Sequence, residues 1–235
     1  MTFDSLLERA YTPYSGEKYV CVVRSNDGRF FPGVNVENIS YPLSVSHIQT
    51  AVYSCMAAGC SPEVLIIPKN PQTRDLISFW VEELSLKVSI EYDLSFEPEN
   101  IITDEPTNMY AYLQKLCEKA VIPNSSFPVS CLLETDLGWI EGVNIEVSNW
   151  ELGLCAERVA ITRAIANGCK EFRSIHILAP KSDYVSPCGA CRQVLAEHLN
   201  QSRVHLYQNE YEVMSVSTSD LLPFHFRGET LRKGG

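Results

Sequence analysis

The sequence predicts an α/β protein made of two tandem domains, each a three-layer α/β/α arrangement around a mixed sheet of about five strands. Three observations predict this fold class. The composition is ordinary for a globular protein, with 45% apolar and 20% charged residues. An internal repeat of about 110 residues divides the chain of 235 residues. In both copies of the repeat, predicted strands alternate with predicted helices.

The repeat is carried by short matching segments. Residues 33–37 (GVNVE) return 109 residues later as 142–146 (GVNIE), and the Gly-Cys pair at 59–60 returns at 168–169 with the same spacing. A unit of this length is too long for a solenoid repeat, so the repeat indicates a duplicated domain.

Each copy is predicted to run through the same elements. A short helix is followed by a two-strand hairpin, a helix, a β-branched strand, a second helix and one or two further strands. The predicted ranges are 3–10, 19–24, 29–36, 45–58, 63–68 and 72–84 in the first copy, and 109–119, 129–134, 139–145, 155–167, 174–180 and 188–199 in the second. A polar, proline-containing stretch predicts a linker at 96–108 between a first domain at 1–95 and a second at 109–235.

Charge and apolar patterning restrict the expected partners. The formal net charge of −10 disfavours a phosphate backbone, so nucleic acid is not expected as a ligand. No apolar run approaches the length of about 20 residues that crosses a bilayer, so no membrane partner is expected. Residues 1–15 lack the pattern of an export signal. Nine cysteines without such a signal predict a protein of the reducing cytoplasm.

Three cysteines of the second copy stand where helices are predicted to begin. Cys155 precedes one helix, and Cys188 and Cys191 lie three residues apart at the start of another, where Pro187 suits the first turn. Helix N-termini favour negative charge, so all three thiols are expected to be biased toward thiolate. Three converging thiolates predict a tetrahedral zinc site with one open position, the pattern of catalytic zinc.

Two residues beside these cysteines are candidates for the chemistry. Glu157 follows Cys155 by two positions, which places a carboxylate near the open position of the metal without making it a ligand. It is predicted to move protons to and from a bound water. Arg158 is predicted to donate hydrogen bonds to the thiolates and to offset their negative charge.

The chain is similar to the cytidine deaminase family, in duplicate. Cys-Ala-Glu followed by Pro-Cys-x-x-Cys is the signature of zinc deaminases, and the resemblance extends through the whole second copy. The matching segments are 122–127 (IPNSSF), 142–146 (GVNIE), 155–158 (CAER), 187–195 (PCGACRQVL) and 221–223 (LLP).

The resemblance implies a substrate and roles for several residues. Asn144 and Glu146 would hydrogen-bond the ribose 3′-hydroxyl, Phe127 would pack near the base or sugar, and Phe226 would match an aromatic that reaches over the base in a neighbouring domain's site. The implied reaction is hydrolytic deamination of cytidine or deoxycytidine in pyrimidine salvage. In it Glu157 takes a proton from a zinc-activated water, protonates N3 of the pyrimidine and then the departing amine.

The first copy lacks this machinery. Ser46, Gln72 and Asp75 stand at the cysteine positions, Ile48 at the glutamate position and Glu17 at the Phe127 position, which predicts one zinc per chain. His47 lies one position beyond Ser46 and is expected to pack and not to bind metal. The other six cysteines, at 21, 55, 60, 117, 131 and 169, are expected to pack as small apolar groups.

The first copy keeps one segment that the second has lost. Residues 35–41 (NVENISY) resemble the family segment that enters the active site of an adjacent subunit, whereas the second copy has Trp150 at the position of Tyr41. We therefore expect Tyr41 to complete the site built on the three cysteines. We also expect the chain to form a homodimer that imitates the family tetramer.

Two alternatives remain at this stage. One is a deaminase of another aminopyrimidine nucleoside, such as a nucleoside antibiotic. The other is a non-enzymatic protein that binds a nucleoside and uses zinc for stability, although Glu157 argues against it because a purely structural zinc site has no use for a carboxylate.

Overall fold

The computed structural model describes residues 1–69, 74–199 and 202–226, with the backbone alone described at 74–76. Its strands form two separate sheets, each accompanied by helices, which confirms the α/β class. The predicted position of Gln72 lies outside the described residues, and so does the predicted start of its helix.

The first half contains a four-stranded sheet in the order β2-β1-β3-β4. Strands β1 and β2 form an antiparallel hairpin, β1 also pairs antiparallel with β3, and β3 pairs parallel with β4. Gly28 allows the hairpin turn because its φ is +87°, a value that favours glycine. The elements in chain order are α1 (Phe3–Leu7), β1 (Val20–Ser25), β2 (Phe30–Val34), α2 (His47–Ala57), β3 (Pro62–Pro68), α3 (Arg74–Leu84) and β4 (Lys87–Glu91).

The second half repeats this order around a six-stranded sheet. Its elements are β5 (Ile102–Thr103), α4 (Met109–Leu116), β6 (Ser130–Thr135), β7 (Trp139–Val143), α5 (Ala156–Ala166), β8 (Phe172–Leu178), α6 (Gly189–His198), β9 (Arg203–Tyr207), β10 (Val213–Ser217) and α7 (Thr218–Leu221). The strand order is β10-β9-β8-β6-β7-β5, and only β8 and β9 are parallel. Helix α4 contacts β6 and β8, whereas α5 contacts β6 and β7.

The strand counts differ from the expected number of about five in each sheet. One added strand, β5, lies inside the segment 96–108 that was expected to be a linker, and it pairs antiparallel with β7. The same segment is attached to the first half, since the amide of Phe96 donates to the carbonyl oxygen of Met1 at 3.0 Å. Phe96 and Ile101 are buried there. The polar composition of the segment did not indicate that these two apolar residues would be buried. Their burial offsets the entropy cost of ordering the backbone.

Two glycines bring the second helix layer close to each hairpin. A Cβ atom on Gly142 of β7 would lie 2.3 Å from the carbonyl oxygen of Ala156, the first residue of α5. A Cβ atom on Gly33 would meet the carbonyl oxygen of His47 at 2.1 Å in the same way. Only glycine fits so close an approach. Gly142 therefore sets the start of α5, and with it Cys155, directly against the sheet.

The two halves meet through α2 and α5, and the contact is nearly two-fold symmetric. The two helices pack on each other, α5 also contacts β2, and α2 contacts β7. Arg163 of α5 is buried at this junction, where its Nε donates to Ser54 Oγ at 3.4 Å and its Nη1 donates to the carbonyl oxygen of Glu141. One continuous apolar cluster runs through both halves.

The helices, the remaining cysteines and His47 can be compared with what the sequence predicts. In the part of the chain that the structure describes, every helix is too short or too polar to cross a bilayer. The six cysteines outside the predicted zinc set are buried and unbridged. His47 is also buried, with its ring 5.9 Å from the ring of Tyr19.

Candidate active site

The N-termini of two helices place the three cysteines. Cys155 is the residue that caps α5, and its side chain makes no capping hydrogen bond. Cys188 caps α6, and its Sγ accepts from the amide of Cys191 at 3.5 Å. Both caps have extended backbone, and of the two side chains that of Cys188 accepts from an amide of its helix start.

The three sulfur atoms converge in a way that suits one metal ion. They all lie within 4.8 Å of one another, and Sγ of Cys155 is 3.7 Å from Sγ of Cys188. A tetrahedral zinc ion with Zn–S bonds of about 2.3 Å requires S–S distances of about 3.8 Å. Cys188 is exposed, Cys155 is half-buried and Cys191 is buried, so solvent reaches this cluster mainly at Cys188. The thiol set therefore fits zinc with one ligand position left to a water.

The thiols do not share the uniform bias toward thiolate that the sequence predicted. Hydrogen bonds from Cys155 and Cys191 lower the pKa of Cys188, and backbone amides at the start of α6 lower it further. The same hydrogen bonds from Cys188 raise the pKa of Cys155, and those with Cys155 and Cys188 raise that of Cys191. Negative charges on three sulfur atoms this close would repel one another, so without a cation only the pKa of Cys188 is lowered. A divalent cation removes the repulsion.

Glu157 lies in the first turn of α5 and is buried, with 3% of its surface exposed. Burial raises the pKa of its carboxyl group to about 7, and the charge of Cys188 adds to the rise. Its own backbone amide, the Cys191 thiol and Arg158 oppose the shift. A carboxyl group in this range can both accept and release a proton near neutral pH.

Arg158 makes a different contact from the one predicted. Its Nη2 donates to the carbonyl oxygen of Leu43 in the first half at 3.0 Å, and its buried Nε has no hydrogen-bond partner among the described residues. The helix turns by about 100° per residue, which carries this side chain from the cysteine side of α5 to the junction with the first half.

A cavity of about 520 Å³ opens onto the thiol cluster. Cys155, Glu157 and Cys188 are among its lining residues, all of which belong to the second half. The volume lies in the range of small-molecule sites. The sequence did not predict several lining residues, which come from the strand ends and from the loop at 181–186. That loop is longer than its counterpart in the first half, and its extra length was the sequence feature that could have indicated these lining residues. The additional lining residues are Ser125, Val129, Ile145, Trp150, Gly153, Leu154, Ile177, Ala179, Ser182, Val185 and Ser186.

Phe127, Asn144 and Glu146 also line the cavity. The side chains of Asn144 and Glu146 are hydrogen-bonded to the turn at 124–129, which contains Phe127. Asn144 Oδ1 accepts from the amide of Val129 at 2.8 Å, and its Nδ2 donates to the carbonyl oxygen of Phe127 at 2.9 Å. Glu146 Oε2 accepts from the amides of Asn124 and Ser125 at 2.9 and 3.0 Å. Burial alone would raise the pKa of Glu146, but hydrogen bonds from Ser125 and the two amides outweigh burial and lower it.

Two predicted site residues lie elsewhere. Tyr41 is 80% exposed on a short 3-10 turn of the first half, and Phe226 is 59% exposed near the end of the described chain. Neither lines the cavity of its own chain.

The first half has the same hydrogen-bonded turn as the second half but lacks cysteines at the positions of the thiol cluster. Asn35 and Glu37 bond to residues 14–19 much as Asn144 and Glu146 bond to 124–129. Ser46 instead forms a capping box with Gln49, and Ile48 is fully buried. Over the three described ranges, the cysteines of the second half are the only cluster able to hold a metal. The side chain of Asp75 is outside the described part.

Comparison with known proteins identifies the family. Residues 104–207 match the family model for the cytidine and deoxycytidylate deaminase zinc-binding region. A cytidine deaminase of Sporosarcina psychrophila is 38% identical over 125 residues, which cover 92% of that protein and 52% of this chain. The chain belongs to the cytidine deaminase family. It is accordingly an enzyme of a zinc-binding family, and the thiol cluster of the second half is the described site that fits the metal.

Two further cytidine deaminases likewise match about half of this chain and most of their own length. The protein of Halalkalibacterium halodurans is 37% identical over 116 residues, which cover 88% of that protein and 48% of this chain. The crystal structure of the Burkholderia pseudomallei protein is 34% identical, has a TM-score of 0.47, and is matched over 96% of its own length and 50% of this chain. These cytidine deaminases are thus each matched by about half of this chain.

Proposed function

We propose that this chain hydrolyses cytidine and deoxycytidine to uridine and deoxyuridine with release of ammonia, as a step of pyrimidine salvage. The observation that carries the proposal is the buried carboxyl group of Glu157, which faces the same cavity as the thiols of Cys155 and Cys188. Nine free cysteines support a reducing compartment, the cytoplasm, as the place of the reaction.

The residues of this chain divide the reaction between them. Cys155, Cys188 and Cys191 would hold zinc, which when bound lowers the pKa of a water molecule and supplies the nucleophile for C4 of the base. Glu157 accepts the proton of that water and transfers it to N3 of the pyrimidine. The same carboxyl group then takes the proton of the hydroxyl group added at C4 and delivers it to the amine, so that the C4 carbonyl forms, the C4–N bond breaks and ammonia leaves. One water is consumed for each ammonia released.

Other lining residues of the cavity supply the contacts for the sugar. Asn144 and Glu146 stand two residues apart on extended chain, so their side chains point to the same side. The turn at 124–129 holds both groups, which reduces the entropy lost when a substrate binds. We assign them to the ribose 3′-hydroxyl, and we assign Phe127, which is 37% exposed, to the face of the base or sugar.

Substrate comparison tests the assignment. We expect kcat/KM for cytidine and deoxycytidine to exceed that for free cytosine by at least about tenfold, because the base alone cannot use the sugar contacts, and two hydrogen bonds contribute about 1–3 kcal/mol. The measurement is the loss of pyrimidine absorbance with cytidine, deoxycytidine, cytosine and cytidine monophosphate. Turnover of a different aminopyrimidine nucleoside alone would favour the alternative substrate class. The absence of turnover on every pyrimidine nucleoside would refute the proposal.

Tyr41 concerns the assembly of the enzyme. We infer that two chains form a homodimer in which Tyr41 of one chain reaches the site of the other, because Tyr41 is exposed and lies outside the cavity of its own chain. The dimer would present four related domains and two zinc sites. The exposed rings of Phe226 and Trp150 offer further apolar surface for such an assembly.

Replacement of Tyr41 tests this inference. We expect Tyr41→Ala to lower kcat/KM about threefold to tenfold, the effect of one lost hydrogen bond or aromatic contact, and Tyr41→Phe to lower it less. Sedimentation of the wild-type protein should give the mass of two chains. Unchanged kcat/KM in both variants would show that Tyr41 does not serve a site, and a single-chain mass would exclude the exchange.

A further inference from the structure

We propose that Glu83, on α3 of the first half, is a positioning residue for the substrate cavity of the second half. It holds the segment 146–152, so that Glu146 and Trp150 stay in the cavity wall. This inference rests on the proposed function for its catalytic readout. It assigns a task to a half of the chain whose described residues contain no metal-binding cluster.

Glu83 contacts Ser148 through both of its carboxylate oxygens. The amide of Ser148 donates to Oε1 at 2.7 Å, and the hydroxyl of Ser148 donates to Oε2. Hydrogen bonds to a carboxylate are stronger than those between neutral groups. Glu83 is in the last turn of α3, where the helix has no basic residue and the backbone carbonyls disfavour negative charge. The two donors of Ser148 compensate for that unfavourable position.

Ser148 lies midway between two residues that line the cavity. Glu146 precedes it by two residues and Trp150 follows it by two. The end of the same segment is also held by the first half, because the carbonyl oxygen of Leu152 accepts from Gln49 Nε2 at 3.0 Å and from the Tyr53 hydroxyl at 2.8 Å. Contacts from the first half therefore hold the whole stretch between the sugar-side carboxylate and the first zinc cysteine.

The two-fold arrangement supplies an internal comparison. Ile39 is the repeat counterpart of Ser148, and its amide donates to Glu197 of α6 at 2.9 Å. The carbonyl oxygen of Leu43 accepts from Arg158 in the same manner that Leu152 accepts from Gln49. Each half thus holds the equivalent segment of the other. Of these two segments, the one held by Glu83 borders the cavity of the metal-binding cluster found among the described residues, so that contact bears on catalysis in its own chain.

Loss of this contact should affect binding more than chemistry. The zinc cysteines and Glu157 are fixed by the starts of α5 and α6, which Glu83 does not hydrogen-bond among the described residues. Trp150 lies on the segment that would be released, whereas Glu146 would lose only the support of the residues that follow it, because the amides of Asn124 and Ser125 still hold its carboxylate. We therefore expect a change in KM with little change in kcat.

The experiment compares three variants of the full chain. Glu83→Ala should raise KM for cytidine about fivefold to tenfold, with kcat within about twofold of wild type, because it removes two charge-assisted hydrogen bonds. Glu83→Gln should keep KM close to the wild-type value. The side-chain amide oxygen of Gln can accept from the Ser148 amide, and its amide NH2 group can donate to the Ser148 hydroxyl. Glu82→Ala is the control, because Glu82 is the exposed neighbour on the same helix. Zinc content should be equal in all three.

Hydrogen–deuterium exchange gives a second readout that does not depend on turnover. Exchange in the segment 146–152 should rise in Glu83→Ala and stay at the wild-type rate in Glu82→Ala. An unchanged exchange rate, an unchanged KM, or equal effects of Glu83→Ala and Glu82→Ala would overturn the inference. If the wild-type chain turns over no nucleoside, the proposed function fails. The Kd of cytidine for the same variants, measured by calorimetry, then decides the inference by the same fivefold criterion.

Discussion

Replacing Glu157 with Gln is expected to lower kcat for cytidine by about 10²–10⁴-fold, the contribution of a positioned general acid–base group. Gln has nearly the same shape but can neither accept the proton of the attacking water nor protonate N3 and the leaving amine. The zinc content should remain that of the wild type, because Glu157 is not one of the three converging thiols. The measurements are the absorbance assay and the metal content of the same preparations.

A glutamate remote from the cavity serves as the control for this substitution. Glu118 is exposed on the turn after α4, and Glu118→Gln should keep full activity. A kcat of Glu157→Gln within about threefold of wild type would contradict the assignment of the proton transfers, because general acid–base catalysis contributes about 10²–10⁴-fold. Loss of zinc in this variant would instead make Glu157 a structural support of the metal site.

Replacing Cys191 with Ser is expected to remove most of the zinc and to lower kcat by about 10³-fold or more, since the metal supplies several kcal/mol of stabilisation to the transition state. Cys191 is the fully buried member of the thiol set, so solvent cannot replace it as a ligand without rearrangement. The thermal midpoint should fall as well, because metal affinity contributes to folding free energy. Metal analysis, turnover and thermal unfolding of one preparation check the three effects together.

The matched control is a thiol of the same half that lies outside the cluster. Cys169 is buried and unbridged, so Cys169→Ser changes a buried sulfur in the same way without removing a metal ligand. This control should retain its zinc. Equal zinc content in Cys191→Ser and Cys169→Ser would contradict the ligand assignment and would require a different metal site.

Much of this site could be predicted because it depends on local chain geometry. A cysteine at each of two helix starts, with Pro187 before the second, already determines where the thiols begin relative to the helix axes. The repeat has the same elements in both halves, so the elements predicted for one half could be checked against those predicted for the other. The nine cysteines separate into the three at the helix starts and six other thiols that are all buried, on the same local grounds.

The rest could not be predicted because it depends on contacts between distant parts of the chain. Arg158 was expected beside the thiols next to it in sequence, but it bonds to Leu43, 115 positions away. Ser148 and Glu83 are 65 positions apart, and neither belongs to a recognisable motif. Strand β5 forms because a neighbouring strand offers unpaired backbone groups, which the composition of its own segment does not reveal.

The apolar cluster that crosses the junction of α2 and α5 has a consequence for the folding of the two halves. Once two copies share an interior, neither can be deleted without exposing the face that the other had covered. The half that has Ser46 at the start of its helix holds no metal-binding cluster among its described residues, but its apolar face is part of the interior of the other half. A substitution in its core would therefore act on the folding cooperativity of the whole chain.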